Sequence, residues 1–252
     1  MIISSNKLVS IITPSFNSER FIEDCIASVF SQTYHNWEFL IVDDLSTDKS
    51  CQLIEKYKDE RISLIKLENN VGAAEARNIA IRKAKGRYIA FLDADDLWEP
   101  EKLEKQISFM INNNIAFSFT TYQLISEDGL NHLNIIRAPT KITYYSYLKN
   151  TIIGCLTVVI DRGKTGYFEM PNIRSSHDMA LWLLIMRRGF TAYGLKENLA
   201  RYRIVSSSNT ANKIKAVADV WKVLRQVEQL SFLYSSWVFL NYLFHAIKKR
   251  IL

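Results

Sequence analysis

The feature that most constrains the fold is an alternation that runs through the first ninety residues. Short apolar runs, many of their residues β-branched or aromatic, occur at 8–12, 37–42, 62–67 and 88–92. Between them lie stretches with helical spacing. Phe21, Ile22, Cys25, Ile26, Val29 and Phe30 repeat every three or four positions, and Ser18 stands where a helix cap would. Leu53, Ile54 and Tyr57 carry a second helix; an Ala-rich third is opened by Gly72, runs through Ala84 and is closed by Gly86. Pro14 is expected to break the first strand, and Asp43-Asp44 to stop the second. Such a rhythm predicts an α/β fold with a mostly parallel, Rossmann-like central sheet flanked by helices.

Beyond residue 96 the alternation loosens. Pro100 suits the first turn of a helix reaching Asn112. Strands are expected at 117–124 and 156–160, a turn at Glu127-Asp128-Gly129, and a helix over 179–188 stopped by Gly189. No repeat or low-complexity linker divides the chain. Residues 1–100 and 101–215 therefore read as two halves of one domain, and 216–252 as a C-terminal helical extension.

That extension has its own character. No residue from Gln229 to Ile247 carries a formal charge if His245 is neutral, and Lys248-Lys249-Arg250 follow. Ser231, Ser235, Ser236, Asn241 and His245 interrupt the apolar run, so an interfacial helix fits better than a membrane span. Packing on the chain's own domain, or on a second subunit in an oligomer, is the alternative. The net charge of +6 favours anionic partners without choosing among them. A nucleic-acid binder would need a basic stripe across the main body, whereas the clearest basic cluster is terminal. Three cysteines with no metal-type spacing, and no evident signal peptide, lead to an expected cytoplasmic protein with reduced thiols. The terminal helix adds peripheral attachment to the inner face of the membrane.

Ligands of open α/β sheets bind outside the carboxyl ends of the strands. Thr13-Pro14-Ser15, Asp43-Asp44 and Asp93-Ala94-Asp95-Asp96 all fall at such ends. Clustered carboxylates there are tolerable with a divalent cation, and oxygen ligands select Mg²⁺ or Mn²⁺. Asp95 and Asp96 could instead serve only as the acidic N-terminus of the helix near Pro100.

The segment IITPSFNSERFIEDCIASVFSQTYHNWEFLIVDDLSTD, followed by NNVGAAEARNIAIRKAKGRYIAFLDADDLWEPEKLEKQ, resembles the family 2 inverting glycosyltransferases of GT-A fold, densely and in order over about 110 residues. The nearest likeness is to bacterial enzymes of O-antigen, capsule and teichuronic acid synthesis. The resemblance implies that Thr13, Pro14 and Ser15 touch the nucleoside of a UDP-sugar, with Asn17 and Glu19 in the same loop. It implies that Asp44 reads the uracil edge beside Asp43, and that Gly72 and Arg77 close over the nucleotide. Asp93 and Asp95, around Ala94, would hold the metal and the donor's ribose and diphosphate; Asp96 is the next acid on that edge. In SSHDMALWLLIMRRGF, Asp178 matches the general base, while His177 stands where the family usually has Glu. Asp178 as a mere helix cap, with Ser175 or Ser176 as rivals, is the alternative. YRIVSSSNTANK resembles a lid segment, in which Arg203, Ser206, Ser208 and Lys213 could cover the diphosphate. Tyr144, Tyr145 and Tyr147 could stack on acceptor sugar or simply pack in the core.

The expected function is transfer of a hexose from a UDP-sugar to a polyprenyl-diphosphate-linked saccharide. A sugar-nucleotide pyrophosphorylase is disfavoured, because no Gly or basic residue precedes Arg20 in the first loop. A dinucleotide oxidoreductase lacks its Gly-rich fingerprint. An inactive scaffold is disfavoured by the intact Asp93, Asp95 and Asp178.

Overall fold

A computed structural model describes residues 7–173, 175–205 and 213–251, without the side chains of 213–216 and 245–251. In chain order β1 (Val9–Ser15), α1 (Ile22–Phe30), β2 (Trp37–Asp43), α2 (Ser50–Ile54), β3 (Ile62–Lys66), α3 (Ala73–Lys83) and β4 (Tyr88–Phe91) form the first half. Then follow β5 (Leu97–Trp98), α4 (Lys102–Asn112), β6 (Phe117–Ile125), β7 (His132–Ile136), β8 (Lys141–Ile142), α5 (Tyr144–Lys149), β9 (Val159–Asp161), α6 (Arg162–Thr165), α7 (His177–Arg187) and β10 (Ala192–Arg203). Two helices, α8 (Lys213–Lys222) and α9 (Phe232–Ile251), end the chain, joined through a π-helical turn at Val223–Val227. The strands form one ten-stranded sheet in the order β3-β2-β1-β4-β9-β6-β10-β5, with β7 beside β6 and β8 beside β10.

The first half is parallel, as the alternation predicts. Ile12 lies opposite Leu40 of β2 and Phe91 of β4, so Ser15, Asp43 and the residues after Phe91 emerge on one edge. The second half is mixed: β9 runs antiparallel to both β4 and β6, while β10 runs parallel to β6. Side chains alternate between the two faces with the period of two that strands impose. Val9, Ile11, Tyr88 and Ala90 pack under α1 and α4. Ile12, Ile89 and Phe91 pack under α3 and α7, with Val220 and Val238 of the C-terminal helices on the same side.

Several local expectations change. Pro14 does not break β1, which runs on to Ser15. Its ring nitrogen points the way Ile12 points, toward β4; Leu92 donates to the Ile12 carbonyl there, and pairing with β4 goes no further. The missing N–H therefore costs no ladder bond. Ser18 does not cap α1 with its side chain. Its carbonyl accepts from Phe21 and Ile22, and its hydroxyl meets Ser15 and Ser50. Residues 155–157 form a 3₁₀ turn, and the strand begins only at Val159. The twelve-residue β10 is the largest omission of the sequence reading. Gly86 is required by close approach: a Cβ there would lie 2.7 Å from backbone atoms of Leu8 and Ser10.

Candidate active site

The loop after β1 is tied to the loop after β2. Asn17, at φ 48°, donates its N–H to Ser46 Oγ (2.9 Å) and accepts from the Thr47 N–H (2.9 Å). Glu19 accepts from the Lys49 N–H at 2.9 Å. Both residues hold loop to loop in this state. Thr13 donates to the Leu92 carbonyl at 2.6 Å, joining β1 to the start of the carboxylate segment. Asp43 Oδ2 accepts from Ser46 N (2.9 Å). Asp44 accepts from two backbone N–H groups, Val71 (2.7 Å) and Gly72 (2.8 Å), one on each oxygen. Gly72, at φ 85°, opens α3 as its N-cap. Phe16, between these anchors, is 54% exposed and was missed by the sequence reading. It is an apolar ring left in solvent at the edge where Asp44 sits.

The carboxylate loop is braced from two sides by arginines. Arg77 reaches from α3 to Asp93 Oδ1. Arg203, the last residue of β10, donates its backbone N–H to Asp96 Oδ1 (2.8 Å) and its Nε to the Asp95 carbonyl (2.8 Å). Its Nη1 donates to the Glu127 carbonyl at 3.0 Å, and its guanidinium lies 5.0 Å from the Phe21 ring centre. Only 3% exposed, Arg203 is a fixed strut under the loop rather than part of a lid. Ser206 and Ser208, and the Lys213 side chain, lie outside what is described.

The loop carries charge that it cannot neutralise alone. Asp96 is buried, and its Oδ2 has no hydrogen-bond partner. Burial, then Asp95 and Asp93, push the Asp96 carboxyl well above the usual carboxylate range. Burial and then Asp93 raise Asp95 to about 6. Among the described residues no three His, Cys, Asp or Glu side chains converge as a complete metal-binding set.

Opposite lies the start of α7. Its N-cap is Ser176 at φ 58°, so Asp178 sits inside the first turn and is not the cap. Asp178 and Asp93 both strengthen the Arg77 cation; burial alone would lower the Arg77 pKa, yet these partners leave it raised. Burial raises the pKa values of Tyr122 and Cys155, and Asp178 and Asp96 act on both in the same direction, against Arg77 at Cys155. Asp178 and the carboxylate loop thus act electrostatically on the same three side chains, Arg77, Tyr122 and Cys155. Arg77 Nη1 meets His177 Nε2 at 2.6 Å. Tyr147, buried behind, belongs to the core, Tyr144 bonds Glu228 (2.6 Å), and Tyr145 is exposed. Nothing in the spacing of Cys155 or Tyr122 marked them as neighbours of this site.

Residues 10–170 match glycosyl transferase family 2. The chain is 51% identical over 246 residues to TuaG of Bacillus subtilis, assigned as a teichuronic acid biosynthesis glycosyltransferase, covering 97% of this chain and 98% of that protein. It is 42% identical over 244 residues to the Escherichia coli UDP-Glc:alpha-D-GlcNAc-diphosphoundecaprenol beta-1,3-glucosyltransferase WfgD, covering 96% and 95%. Its fold matches, at a TM-score of 0.69 and 17% identity, the mannosyltransferase PcManGT of Pyrobaculum calidifontis in complex with GDP-Man and Mn²⁺, over 96% of this chain and 75% of that one. The sheet and its flanking helices have the GT-A architecture, and the chain belongs to glycosyl transferase family 2.

Proposed function

We propose that this glycosyltransferase moves a hexose from a UDP-sugar to a hydroxyl of a saccharide carried on a polyprenyl diphosphate, with inversion, during surface polysaccharide synthesis. What supports the reading is that β2 and β4 end on one sheet edge, so that Asp44 and Asp93 follow neighbouring strand ends, and that Arg77 joins Asp93 to His177 next to Asp178, in a chain similar along its length to WfgD. Each Asp44 oxygen accepts one backbone N–H and keeps a lone-pair position for the uracil imide N–H. Phe16 offers a ring face to the base. The acceptor oxygen bonds to the anomeric carbon as the bond to the diphosphate breaks; the electron pair leaves with UDP and the acceptor proton passes to Asp178. Arg77, buried, cationic and bonded to Asp93, is the group assigned to the negative charge of the leaving group.

The donor set fits a hard divalent cation. Asp93 and Asp95 would hold Mn²⁺ or Mg²⁺, Asp96 stands next to them, and diphosphate and water oxygens would complete the shell. When bound, the ion neutralises charge building on the diphosphate. Calorimetry of UDP binding tests this. Wild type should bind UDP far more tightly with Mn²⁺ than without, and Asp95→Ala should lose that difference. Tight UDP binding indifferent to both changes would overturn the role given to Asp95; none in a folded sample would overturn the donor assignment.

The same charges set a stability prediction. A carboxyl raised in the fold opposes folding once it ionises, so in metal-free protein the penalty from Asp95 grows as pH rises from 4 through about 6. Asp95→Asn should then raise Tm at pH 8, by an amount equivalent to about 1–3 kcal/mol, and change little at pH 4. An equal shift at both pH values would show that the charge is not the cause.

The C-terminal helix supports a membrane-surface site of action. Among the described residues no helix is long and apolar enough to cross a membrane. On α9, however, Leu233, Trp237, Leu240 and Phe244 recur at helical spacing and are all exposed, Leu233 by 82%. Val238 anchors the opposite face in the core. Lys149 lies 4.2 Å from the Trp237 ring centre, and Lys248-Lys249-Arg250 follow in the sequence. An apolar stripe with cations beside it suits an anionic bilayer surface. Wild type should sediment with phosphatidylglycerol vesicles, and the double variant Leu233→Glu, Leu240→Glu should stay in the supernatant. Dimerisation through the stripe, with no vesicle binding, would overturn this reading.

A further inference from the structure

His177 precedes Asp178 at the start of α7, and its surroundings give it a definite chemistry. Its ring lies 2.6 Å from Arg77 Nη1 through Nε2. A guanidinium has only donors, so Nε2 accepts, and the ring is neutral with its proton on Nδ1. The other arm of Arg77 holds Asp93. Three separate elements are thereby linked in line: α7 through His177, α3 through Arg77, and the loop after β4 through Asp93.

We propose that His177 is a positioning residue whose Nε2 lone pair holds Arg77, and that through Arg77 it sets both the Asp93 carboxylate and the first turn of the helix carrying Asp178. The proposal rests on the glycosyltransferase reading of the site. A carboxylate at position 177 would compete with Asp93 for the cation. A neutral imidazole holds the guanidinium while leaving its charge to Asp93 and to the diphosphate. Among the described residues, Arg77 from α3, Asp93 after β4, Asp178 on its own helix and the Ile173 backbone before it act electrostatically on the ring. Burial and then Arg77 push its pKa below the ordinary histidine value, against Asp178 and Asp93, so the ring is uncharged at neutral pH.

Two substitutions separate this from simple packing. In His177→Gln the amide oxygen can reach the position of Nε2 and accept from Arg77. His177→Leu has comparable bulk and no acceptor. Expected results are a fall of at least about tenfold in kcat and a weakening of Mn²⁺-dependent UDP binding in the Leu variant, with most of both restored in the Gln variant. Nitrogen-15 NMR of labelled histidine, with the signal assigned by its loss in His177→Gln, should show unprotonated Nε2 and protonated Nδ1 at pH 7.5. Equal behaviour of the Leu variant and wild type would overturn the proposal. So would a Gln variant as impaired as Leu, or a ring protonated on Nε2. Wild type that binds UDP while these variants match it would sink the positioning role alone. Wild type without UDP binding would sink the site reading with it, whereas the tautomer reports on the contact in either case.

Discussion

Asparagine in place of Asp178 should lower kcat by about 10²–10⁴-fold and leave UDP affinity nearly unchanged. The amide fills the same space and keeps an acceptor oxygen, but it cannot take up a proton. Asp178 stands inside the first turn of α7 with Ser176 as the N-cap, so the substitution removes no cap. The residue makes none of the carboxylate loop's bracing contacts, which belong to Arg77 and Arg203. Donor binding should therefore survive. Initial rates at saturating UDP-sugar, with calorimetry of UDP binding on the same samples, check both halves. A kcat within threefold of wild type would remove Asp178 from the chemistry. A parallel collapse of UDP affinity would place it in the donor site instead. Asp178→Glu should recover little, because a longer side chain displaces the carboxylate from the acceptor oxygen.

The part of this site nearest the N-terminus was readable from residue order because local rules govern it. Parallel strands with helical crossovers put their carboxyl ends together, so Ser15, Asp43 and Asp93 had to meet once 8–12, 37–42 and 88–92 were strands. The second half obeys longer-range rules. Residues 192–203 alternate poorly, because Lys196, Glu197 and Asn198 fall where the pairing of β10 with β6 shifts register. With that strand unrecognised, Arg203 read as part of a polar loop, although its register opposite Ile125 puts it under Asp95 and Asp96. Pro14 misled for a different reason. Its effect depends on which side of the strand still has a neighbour, and that depends on where β4 ends. Asn17 and Glu19 were singled out correctly as loop residues, but their observed partners are backbone groups of the neighbouring loop. The terminal segment read as one helix, whereas a π turn and Gln229 at φ 53° divide it and let α9 return onto the core.

Trp182→Ala should destabilise the protein by about 3–5 kcal/mol, the range for emptying a large buried aromatic site. Trp182 is fully buried one turn along α7 from Asp178. Its ring centre is 5.4 Å from both Phe91 of β4 and Phe117 of β6. It therefore fixes the helix of the proposed base against the strand that delivers Asp93, so its packing sets the separation of the two sides of the site. Its indole Nε1 has no hydrogen-bond partner. Trp182→Phe removes that unsatisfied donor along with part of the ring, and the two effects oppose each other. The Phe variant should accordingly lose well under half of what the Ala variant loses in chemical denaturation at pH 7.5. For the Ala variant under conditions where it remains folded, kcat should fall more than UDP affinity, because in the proposed site the loops after β1, β2 and β4 hold the nucleotide, whereas α7 carries the base and reaches the donor side only through His177 and Arg77. Equal losses in kcat and affinity would mean that Trp182 supports the whole sheet edge rather than the placement of one helix upon it.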